Sequence, residues 1–580
     1  MARAAAGSLH QHAGMVASGA RLFPPLPEPA ALLAAWLNMP AMKCSALALA
    51  VAIWCAACTA KPGSHAETGA AADAEIASLD AVSLESRLAS GELSAEHVAS
   101  VFLARIEAAN DAGPKLRALV EINPDALAIA RDLDRRRAAT GPIGPLHGLP
   151  IVIKANVDTA DAMATSAGSV ALERHRAAAD APVVARLRAA GAVLLGKTNL
   201  SEWANFRSTR STSGWSSLGG QTRNPYVLDR SPCGSSSGSA VAVAAALAPL
   251  AIGTETDGSI VCPAAVNGVV GIKPTLGLVS GRGIVPIARS QDTAGPIARN
   301  VRDAALLLRA IEEASARPLD HPWDHASPNS SAAGPTSIAL GGERPLTGLR
   351  LGVVRDYSGA GNDHGVEAAF GRSLERLRTL GAELVDPVAT GARESVQSAE
   401  LTVLLHEFHA QIDQYLRDVR EGPRSLDELI AFDEAHADVA MPIFGQDLFR
   451  AAQRTAGLDA PAYRDALAVL ARFRERLAAA FAEQRLAALV APVTGRAWRV
   501  DPAAGDRFGV ASAAIAAVSG YPSVAVPAEL VAELPVAIAL IGTPWTEPEL
   551  VQIASAFEAA RGSFPPPRYL PTVADPAAAQ

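Results

Sequence analysis

Residues 231–275 read SPCGSSSGSAVAVAAALAPLAIGTETDGSIVCPAAVNGVVGIKPT, a stretch with two Gly/Ser-rich turns on either side of one apolar run. The first turn, 234–239, precedes the Ala/Val run 240–248, which has helical length and meets no helix breaker before Pro249. The second turn, 254–259, follows closely. Small residues let a backbone approach a substrate carbonyl, and successive free N–H groups in such a turn can bind an oxyanion. The stretch therefore predicts the catalytic centre of a hydrolase.

A lysine upstream of both turns completes a recognisable pattern. Lys154 ends the apolar segment 148–154, GLPIVIK. The order and spacing of Lys154, Ser235 and Ser259 resemble those of the amidase signature enzymes, and within that family the chain looks most like the bacterial peptide amidases. The resemblance runs from about residue 75 to about residue 570. It is specific because all three motifs occur in the family's order.

The resemblance implies a role for each motif residue. A serine hydroxyl is a weak nucleophile, so it needs a neighbouring base and a pocket for the oxyanion. Ser259 is expected to be the nucleophile, Ser235 the bridging serine and Lys154 the terminal base. The lysine must be neutral at rest, which requires burial to lower its pKa from about 10.4. The backbone N–H groups of four residues are expected to form the oxyanion hole: Thr256, Asp257, Gly258 and Ser259. Ser236 is expected to support the network by hydrogen bonds, and the carboxylate of Asp257 receives no role.

The implied reaction is hydrolysis of a carboxamide to an acid and ammonia. Ammonia leaves the first tetrahedral intermediate, an acyl-enzyme remains on Ser259, and water releases the acid. The resemblance implies no metal ion and no cofactor. Runs shared with peptide amidases favour the C-terminal amide of a peptide as substrate: 196–206 (GKTNLSEWANF), 219–226 (GGQTRNPY) and 253–265.

Three functions are alternatives to the hydrolysis of a peptide amide. The first is a broad-specificity aliphatic or aromatic amidase. The second is a glutamyl-tRNA amidotransferase A-type subunit, which would need partner subunits and remain in the cytoplasm. The third, a catalytically silent binding protein, is disfavoured because Lys154, Ser235 and Ser259 are intact. A small amide or peptide amide is the expected partner, and no obligatory protein partner is expected.

Composition and patterning predict the fold class. The 580 residues are 49% hydrophobic and carry a formal net charge of −8, so nothing suggests nucleic-acid binding. Predicted strands alternate with predicted helices, which is typical of a layered α/β protein. We therefore expect one large domain, 76–575, with a central mixed, largely parallel β-sheet covered by helices on both faces. The predicted strands are 148–154, 192–195, 351–354, 383–385, 486–493 and 521–527, the last ended by Pro527. The predicted helices are 95–108 with Ser94 as N-cap, 182–190, 366–380 and 547–560, and a surface excursion is predicted at 312–348.

The N-terminal region is predicted to direct export. Residues 1–41 match neither a domain nor a clean signal, and a misassigned start codon would account for them. Residues 42–66 resemble a secretory signal, because Lys43 precedes an apolar run that ends in small residues. Cleavage after Ala66 and lipid attachment at Cys58 are the two alternatives. Residues 67–75 are predicted to be a linker. The expected location is the periplasm or, by an N-terminal lipid, the bacterial envelope membrane, with the cytoplasm as the alternative.

Two cysteines flank the two predicted catalytic turns. Free cysteine packs as a small hydrophobic residue, so buried thiols are the favoured interpretation for Cys233 and Cys262. A disulfide between them is the alternative if the protein is exported. The other pair, Cys55 and Cys58, has no second ligand pair, so a zinc site is not predicted.

Three short motifs suggest other chemistry and are discounted. Residues 234–238 match G-x-S-x-G, which would make Ser236 a nucleophile, but residues 229–232 (DRSP) do not form the strand that such an elbow needs. Residues 191–198 match the Walker A spacing, but their centre is an apolar strand. His406 and His409 are three residues apart, which misses the H-E-x-x-H spacing, so we expect them to be partners on a helix face.

Overall fold

The computed structural model describes residues 64–313, 345–355, 363–391, 394–507 and 512–574. The chain divides into two compact units, 1–71 and 72–580, and the first is described only from Ser64. The predictions for residues 1–41, for Cys58 and for most of the signal segment 42–66 therefore lie outside the described residues, as does 314–344 of the predicted excursion.

A mixed sheet of eleven strands forms the centre of the second unit. Its strand order is β1-β3-β2-β6-β8-β7-β12-β13-β11-β9-β10, and β4 pairs with β5 separately. The strands are β1 Leu119–Ile122, β2 Pro150–Lys154, β3 Val193–Thr198, β4 Trp215–Ser216, β5 Gly220–Gln221, β6 Leu250–Glu255, β7 Val270–Lys273, β8 Thr293–Ala298, β9 Arg350–Val354, β10 Glu383–Val388, β11 Ala488–Pro492, β12 Ser523–Val531 and β13 Leu534–Ile541.

Helices cover both faces of this sheet, as predicted. The described α-helices are α1 Ser64–Ser78, α2 Ala81–Ala89, α3 Ala95–Ala109, α4 Ala126–Thr140, α5 Pro182–Ala189, α6 Ser237–Ala244, α7 Val261–Val266, α8 Val301–Ile311, α9 His364–Thr379, α10 Glu394–Leu416, α11 Leu426–Ala435, α12 Ala437–Ala440, α13 Asp447–Gln453, α14 Pro461–Gln484, α15 Ala513–Ser519 and α16 Glu547–Arg561. Within the described ranges, no helix has the length and apolar character needed to cross a membrane.

The prediction of a mixed sheet is confirmed, but the prediction that most of its strand pairs are parallel was wrong. Four neighbouring pairs in the described sheet are parallel: β2 with β3, β2 with β6, β9 with β11 and β9 with β10. The other six neighbouring pairs are antiparallel. The helix-connected segments used for the prediction lie toward the two ends of the sheet. Its centre contains a tight hairpin at Ala532 and Glu533, both with positive φ, and this sequence lacks the usual Asn-Gly signal.

Most elements predicted from periodicity are confirmed. The strands expected at 148–154, 192–195, 351–354, 383–385 and 486–493 correspond to β2, β3, β9, β10 and β11. The four predicted helices correspond to α3, α5, α9 and α16. At the start of α3 the Ser94 hydroxyl accepts a hydrogen bond from the His97 N–H at 3.1 Å, so Ser94 is the N-cap.

Three boundaries differ from prediction. The Ala/Val run 240–248 is helical only to Ala244, because α6 already begins in the Gly/Ser turn and β6 starts at Leu250. The strand expected to end at Pro527 continues to Val531, since a register shift after Pro527 accommodates the missing N–H. The stretch 67–75, predicted as a linker, is helical in α1, which is rich in alanine, the strongest helix former.

The topology explains why the two Gly/Ser turns meet. Helix α6 leaves the first turn, and β6 returns after a short reversal, so both turns lie at the same edge of the sheet. Strand β6 is the parallel neighbour of β2, whose last residue is Lys154. The ends of parallel neighbours share an edge, so the lysine reaches the two turns there.

Candidate active site

Lys154 lies at the centre of the site and is completely buried. Its Nζ donates hydrogen bonds to Ser235 Oγ at 2.7 Å, to Thr254 Oγ1 at 2.8 Å and to the Thr254 carbonyl at 3.2 Å. Burial disfavours the charged form and lowers the pKa of Lys154 to about 7, although Glu255 and Asp292 oppose this shift. A substantial fraction of the amine is therefore neutral near neutral pH.

The first turn is packed so tightly that it requires glycine. The Gly234–Ser235 peptide bond is cis, and a Cβ on Gly234 would lie 2.1 Å from Ser201 Oγ. The Ser201 N–H donates to the Ser235 carbonyl at 3.1 Å. Ser235 is fully buried, so its hydroxyl is held against Lys154 without competition from bulk water.

Ser236 joins the two turns. Its hydroxyl donates to the Thr254 carbonyl at 3.0 Å and accepts from the Thr254 N–H at 3.1 Å. Its own N–H donates to the Ser259 carbonyl at 3.1 Å. These contacts place Ser236 between the two turns, and its supporting role in catalysis stays a prediction.

The second turn brings Ser259 to the same edge. Gly258 has a φ of +77°, a conformation that favours glycine, and the neighbouring Asp257 is exposed. The Glu255 carboxylate accepts from the N–H groups of Ile260 at 2.6 Å and Val261 at 2.9 Å, which fixes the start of α7. Burial raises the pKa of Glu255, while hydrogen bonds from backbone N–H groups, including that of Gly258, lower it.

The structure thus brings together most of the residues predicted for the site. It joins Lys154 to Ser235 by a hydrogen bond, and it links Ser259 to the first turn through the main chain. The four predicted oxyanion donors, 256–259, follow β6 directly and lie in one turn, and their role stays a prediction. Sequence reasoning placed Thr254 and Glu255 in the second turn and gave them no role, whereas the structure has them as the last two residues of β6, where Thr254 contacts Lys154 and Glu255 accepts from the start of α7.

Cys233 and Cys262 form a disulfide with a Cα–Cα distance of 6.0 Å, so the favoured interpretation of two free thiols was wrong. The return of both turns to one edge places the two cysteines side by side, a long-range proximity that local sequence does not reveal. The disulfide connects the residue before the first turn to helix α7, which follows the second.

The discounted motifs have structural roles. Lys197, in the Walker-like segment, is buried and donates to the Val157 carbonyl at 2.5 Å. His406 and His409 on α10 pair through Nδ1 with the Gly457 carbonyl at 2.8 Å and with Thr455 Oγ1 at 3.1 Å. In the described range 64–313, no strand occupies 229–232 ahead of the G-x-S-x-G segment.

The site thus contains a buried lysine amine in contact with a serine hydroxyl, beside two Gly/Ser turns. The amidase family model matches residues 97–551, and the chain belongs to this family of hydrolases. The structure of native peptide amidase from Stenotrophomonas maltophilia is similar, with 47% identity, 85% of this chain and 99% of that chain covered, and a TM-score of 0.78.

Curated relatives agree with this assignment. A probable amidase of Arabidopsis thaliana is 37% identical over 80% of this chain and 87% of its own length. The A-type subunit of the glutamyl-tRNA(Gln) amidotransferase of Symbiobacterium thermophilum is 36% identical over 83% of this chain and 96% of its own length. The chain is therefore an amidase.

The disulfide leads to a test of its contribution to stability. Its cysteines are separated by 29 positions, so its loss should lower the free energy of unfolding by about 3.6 kcal/mol. We expect reductant to lower the denaturant midpoint of the wild-type protein. The double variant Cys233→Ala/Cys262→Ala should already have the lower midpoint and should not respond to reductant.

Peptide mapping without reduction provides the direct observation. We expect one cross-linked peptide pair that contains both cysteines. Alkylation of both thiols in the folded, unreduced protein would contradict the bond.

Proposed function

We propose that this protein hydrolyses the C-terminal carboxamide of peptides to the free acid and ammonia, with Ser259 as nucleophile. The observation that carries the proposal is the fully buried Lys154 amine, 2.7 Å from Ser235 Oγ. A neutral amine at that distance can accept the Ser235 proton, which is the step that a terminal base must perform.

The proton path follows from this contact. Ser235 would take the proton of Ser259 as it passes its own proton to Lys154, so that Ser259 Oγ attacks the substrate carbonyl. Two further groups hold Lys154 in place, the Oγ1 and the carbonyl of Thr254, and both remain hydrogen-bond acceptors when the lysine becomes charged. The protonated lysine then returns the proton through Ser235 to the leaving ammonia.

The second turn would stabilise the developing oxyanion. Backbone N–H groups cost little reorganisation because the fold already fixes them. We assign the N–H groups of Thr256, Asp257, Gly258 and Ser259, which follow one another in this turn, as the donors. Collapse of the intermediate breaks the C–N bond and leaves an acyl group on Ser259, which water then hydrolyses.

Similarity to a solved peptide amidase supports the substrate class. The S. maltophilia structure, a peptide amidase, covers 85% of this chain at 47% identity, which exceeds the 36% identity to the tRNA amidotransferase relative. A peptide amide also needs no partner subunit. We therefore favour a small peptide amide over a tRNA-linked substrate.

The test measures ammonia release from three substrates in parallel assays. They are a C-terminally amidated peptide, the same peptide as a free acid, and glutamine together with glutamyl-tRNA. We expect ammonia from the amidated peptide alone. Ser259→Ala and Lys154→Met should each lower kcat by about 10³-fold or more, because both remove a member of one proton-transfer unit. Thermal unfolding of each variant checks that it is folded.

Ser86→Ala and Lys115→Met serve as matched controls, since both residues are exposed. They should retain wild-type turnover. Activity that survives Ser259→Ala would overturn the mechanism, whereas turnover of simple amides without the amidated peptide would overturn only the substrate class.

We also propose that the protein is exported. The apolar run 46–57 after Lys43 supports export, and the Cys233–Cys262 disulfide supports an oxidising compartment, where such bonds persist. Cleavage after Ala66 would release a periplasmic enzyme, and a lipid on Cys58 would anchor it to the envelope.

Mass spectrometry of the N-terminal peptide from fractionated cells tests this proposal. A mature chain that starts at Glu67 in the periplasmic fraction, or an acylated Cys58 in the membrane fraction, is the expected result. A cytoplasmic protein that keeps its N-terminal segment would contradict export.

A further inference from the structure

Helix α10 presents a row of polar side chains to the loop 287–292, which lies beside the catalytic turn. Glu400, Glu407 and Gln411 are spaced by seven and four positions, so they lie along one face of the helix. We propose that Gln291, held by Glu400, is a positioning residue that orients the oxyanion donor at Asp257. The proposal rests on the proposed function, because it assumes that this turn binds the oxyanion.

Each of the three α10 side chains holds one of three consecutive loop residues. The Arg289 N–H donates to Gln411 Oε1 at 2.9 Å, and the Ser290 N–H donates to Glu407 Oε2 at 3.0 Å. Gln291 Nε2 donates to Glu400 Oε1 at 2.7 Å. The loop is thus fixed to the helix at three successive positions.

A residue on a second helix, α14, also binds Glu407. Tyr463 on α14 donates its hydroxyl proton to Glu407 Oε1 at 2.9 Å, and Gln411 Nε2 donates to Glu407 Oε2 at 3.2 Å. Glu407 therefore accepts three hydrogen bonds while only 3% of it is exposed. A buried carboxylate with all these partners in place fixes the position of the loop.

The loop in turn contacts the carbonyl and the hydroxyl of Thr256. Gln291 Nε2 donates to the Thr256 carbonyl at 3.3 Å, and the Thr256 hydroxyl donates to Asp292 Oδ1 at 2.6 Å. The other Asp292 oxygen accepts from the N–H groups of Ile287 at 2.8 Å and Ala288 at 3.0 Å. Thr256 is the first residue of the proposed oxyanion turn.

Because the peptide unit is planar, the hydrogen bond from Gln291 to the Thr256 carbonyl also orients the Asp257 N–H. The Thr256 carbonyl and the Asp257 N–H belong to one planar trans unit and point in opposite directions. A donor that fixes the carbonyl therefore fixes the direction of the N–H on the other side. Because Gln291 is 1% exposed and Glu400 is 6% exposed, water cannot readily replace either partner.

A positioning role makes a specific kinetic prediction. The oxyanion exists only in the transition state and in its analogues, so misorientation of the Asp257 N–H should lower kcat and leave KM nearly unchanged. Loss of a complete oxyanion donor typically costs about 10²–10³ in kcat. Loss of its alignment alone should cost less, about 10- to 100-fold.

The experiment compares Gln291→Met and Glu400→Met with wild type, using an amidated peptide as substrate and a peptide aldehyde of the same sequence as inhibitor. Attack of Ser259 Oγ on the aldehyde forms a hemiacetal whose oxygen occupies the oxyanion site. We expect the inhibition constant to rise by the same factor as kcat falls. Glu400→Gln keeps an acceptor for Gln291, so it should retain at least about fivefold more kcat than Glu400→Met.

Gln397→Met is the matched control, because Gln397 is exposed on the same helix one turn before Glu400. It should leave kcat, KM and the inhibition constant at wild-type values. If Gln291→Met does not fold, the kcat values of Glu400→Gln and Glu400→Met alone test the positioning role of Gln291.

Two results would overturn the inference. One is an unchanged kcat and inhibition constant in folded Gln291→Met, and the other is a rise in KM with kcat unchanged. Ser259→Ala, assayed in parallel, separates this failure from that of the proposed function. If Ser259→Ala is inactive while Gln291→Met is normal, only the positioning role fails.

Discussion

The hydrogen bond between the buried amine of Lys154 and Ser235 Oγ is the interaction on which the rest of the site depends. A charged lysine in this setting would lack water, and no salt-bridge partner within 4 Å is found among the described residues, so burial favours the neutral amine. The groups around its Nζ are all uncharged: the two oxygens of Thr254 can accept the two N–H groups of a neutral amine, which leaves the lone pair free to accept from the Ser235 hydroxyl. In the proposed mechanism this amine is the base, and no histidine is needed.

The topology of the central sheet brings the two turns and Lys154 together. Helix α6 and strand β6 form a reversal that begins and ends at the same sheet edge, and β2 delivers Lys154 to that edge. Ser236 then joins the turns by a reciprocal pair of hydrogen bonds with Thr254, and the disulfide joins the segments that flank them. The alignment of the second turn is reinforced from outside by loop 287–292 and α10.

Sequence reasoning predicted what local pattern and motif order encode. It predicted Lys154 and Ser235 as neighbours, the N-cap at Ser94 and six of the thirteen described strands. It failed where the outcome depends on distant partners. The antiparallel centre of the sheet and the Cys233–Cys262 pair both follow from tertiary proximity. The hydrogen bond between Gln291 and Thr256 joins residues 35 positions apart, and the local sequence of neither segment predicts it.

The pH dependence of kcat/KM for an amidated peptide tests the central claim most directly, because kcat/KM reports the ionisation of the free enzyme. Protonated Lys154 cannot accept a proton, so the account predicts that kcat/KM falls about tenfold per pH unit below a pKa of about 7 and levels off above it. Lys154→Arg, which stays charged, should be inactive throughout. A profile that is flat from pH 5 to 9, or one that rises only toward pH 10, would contradict a neutral buried lysine as the base.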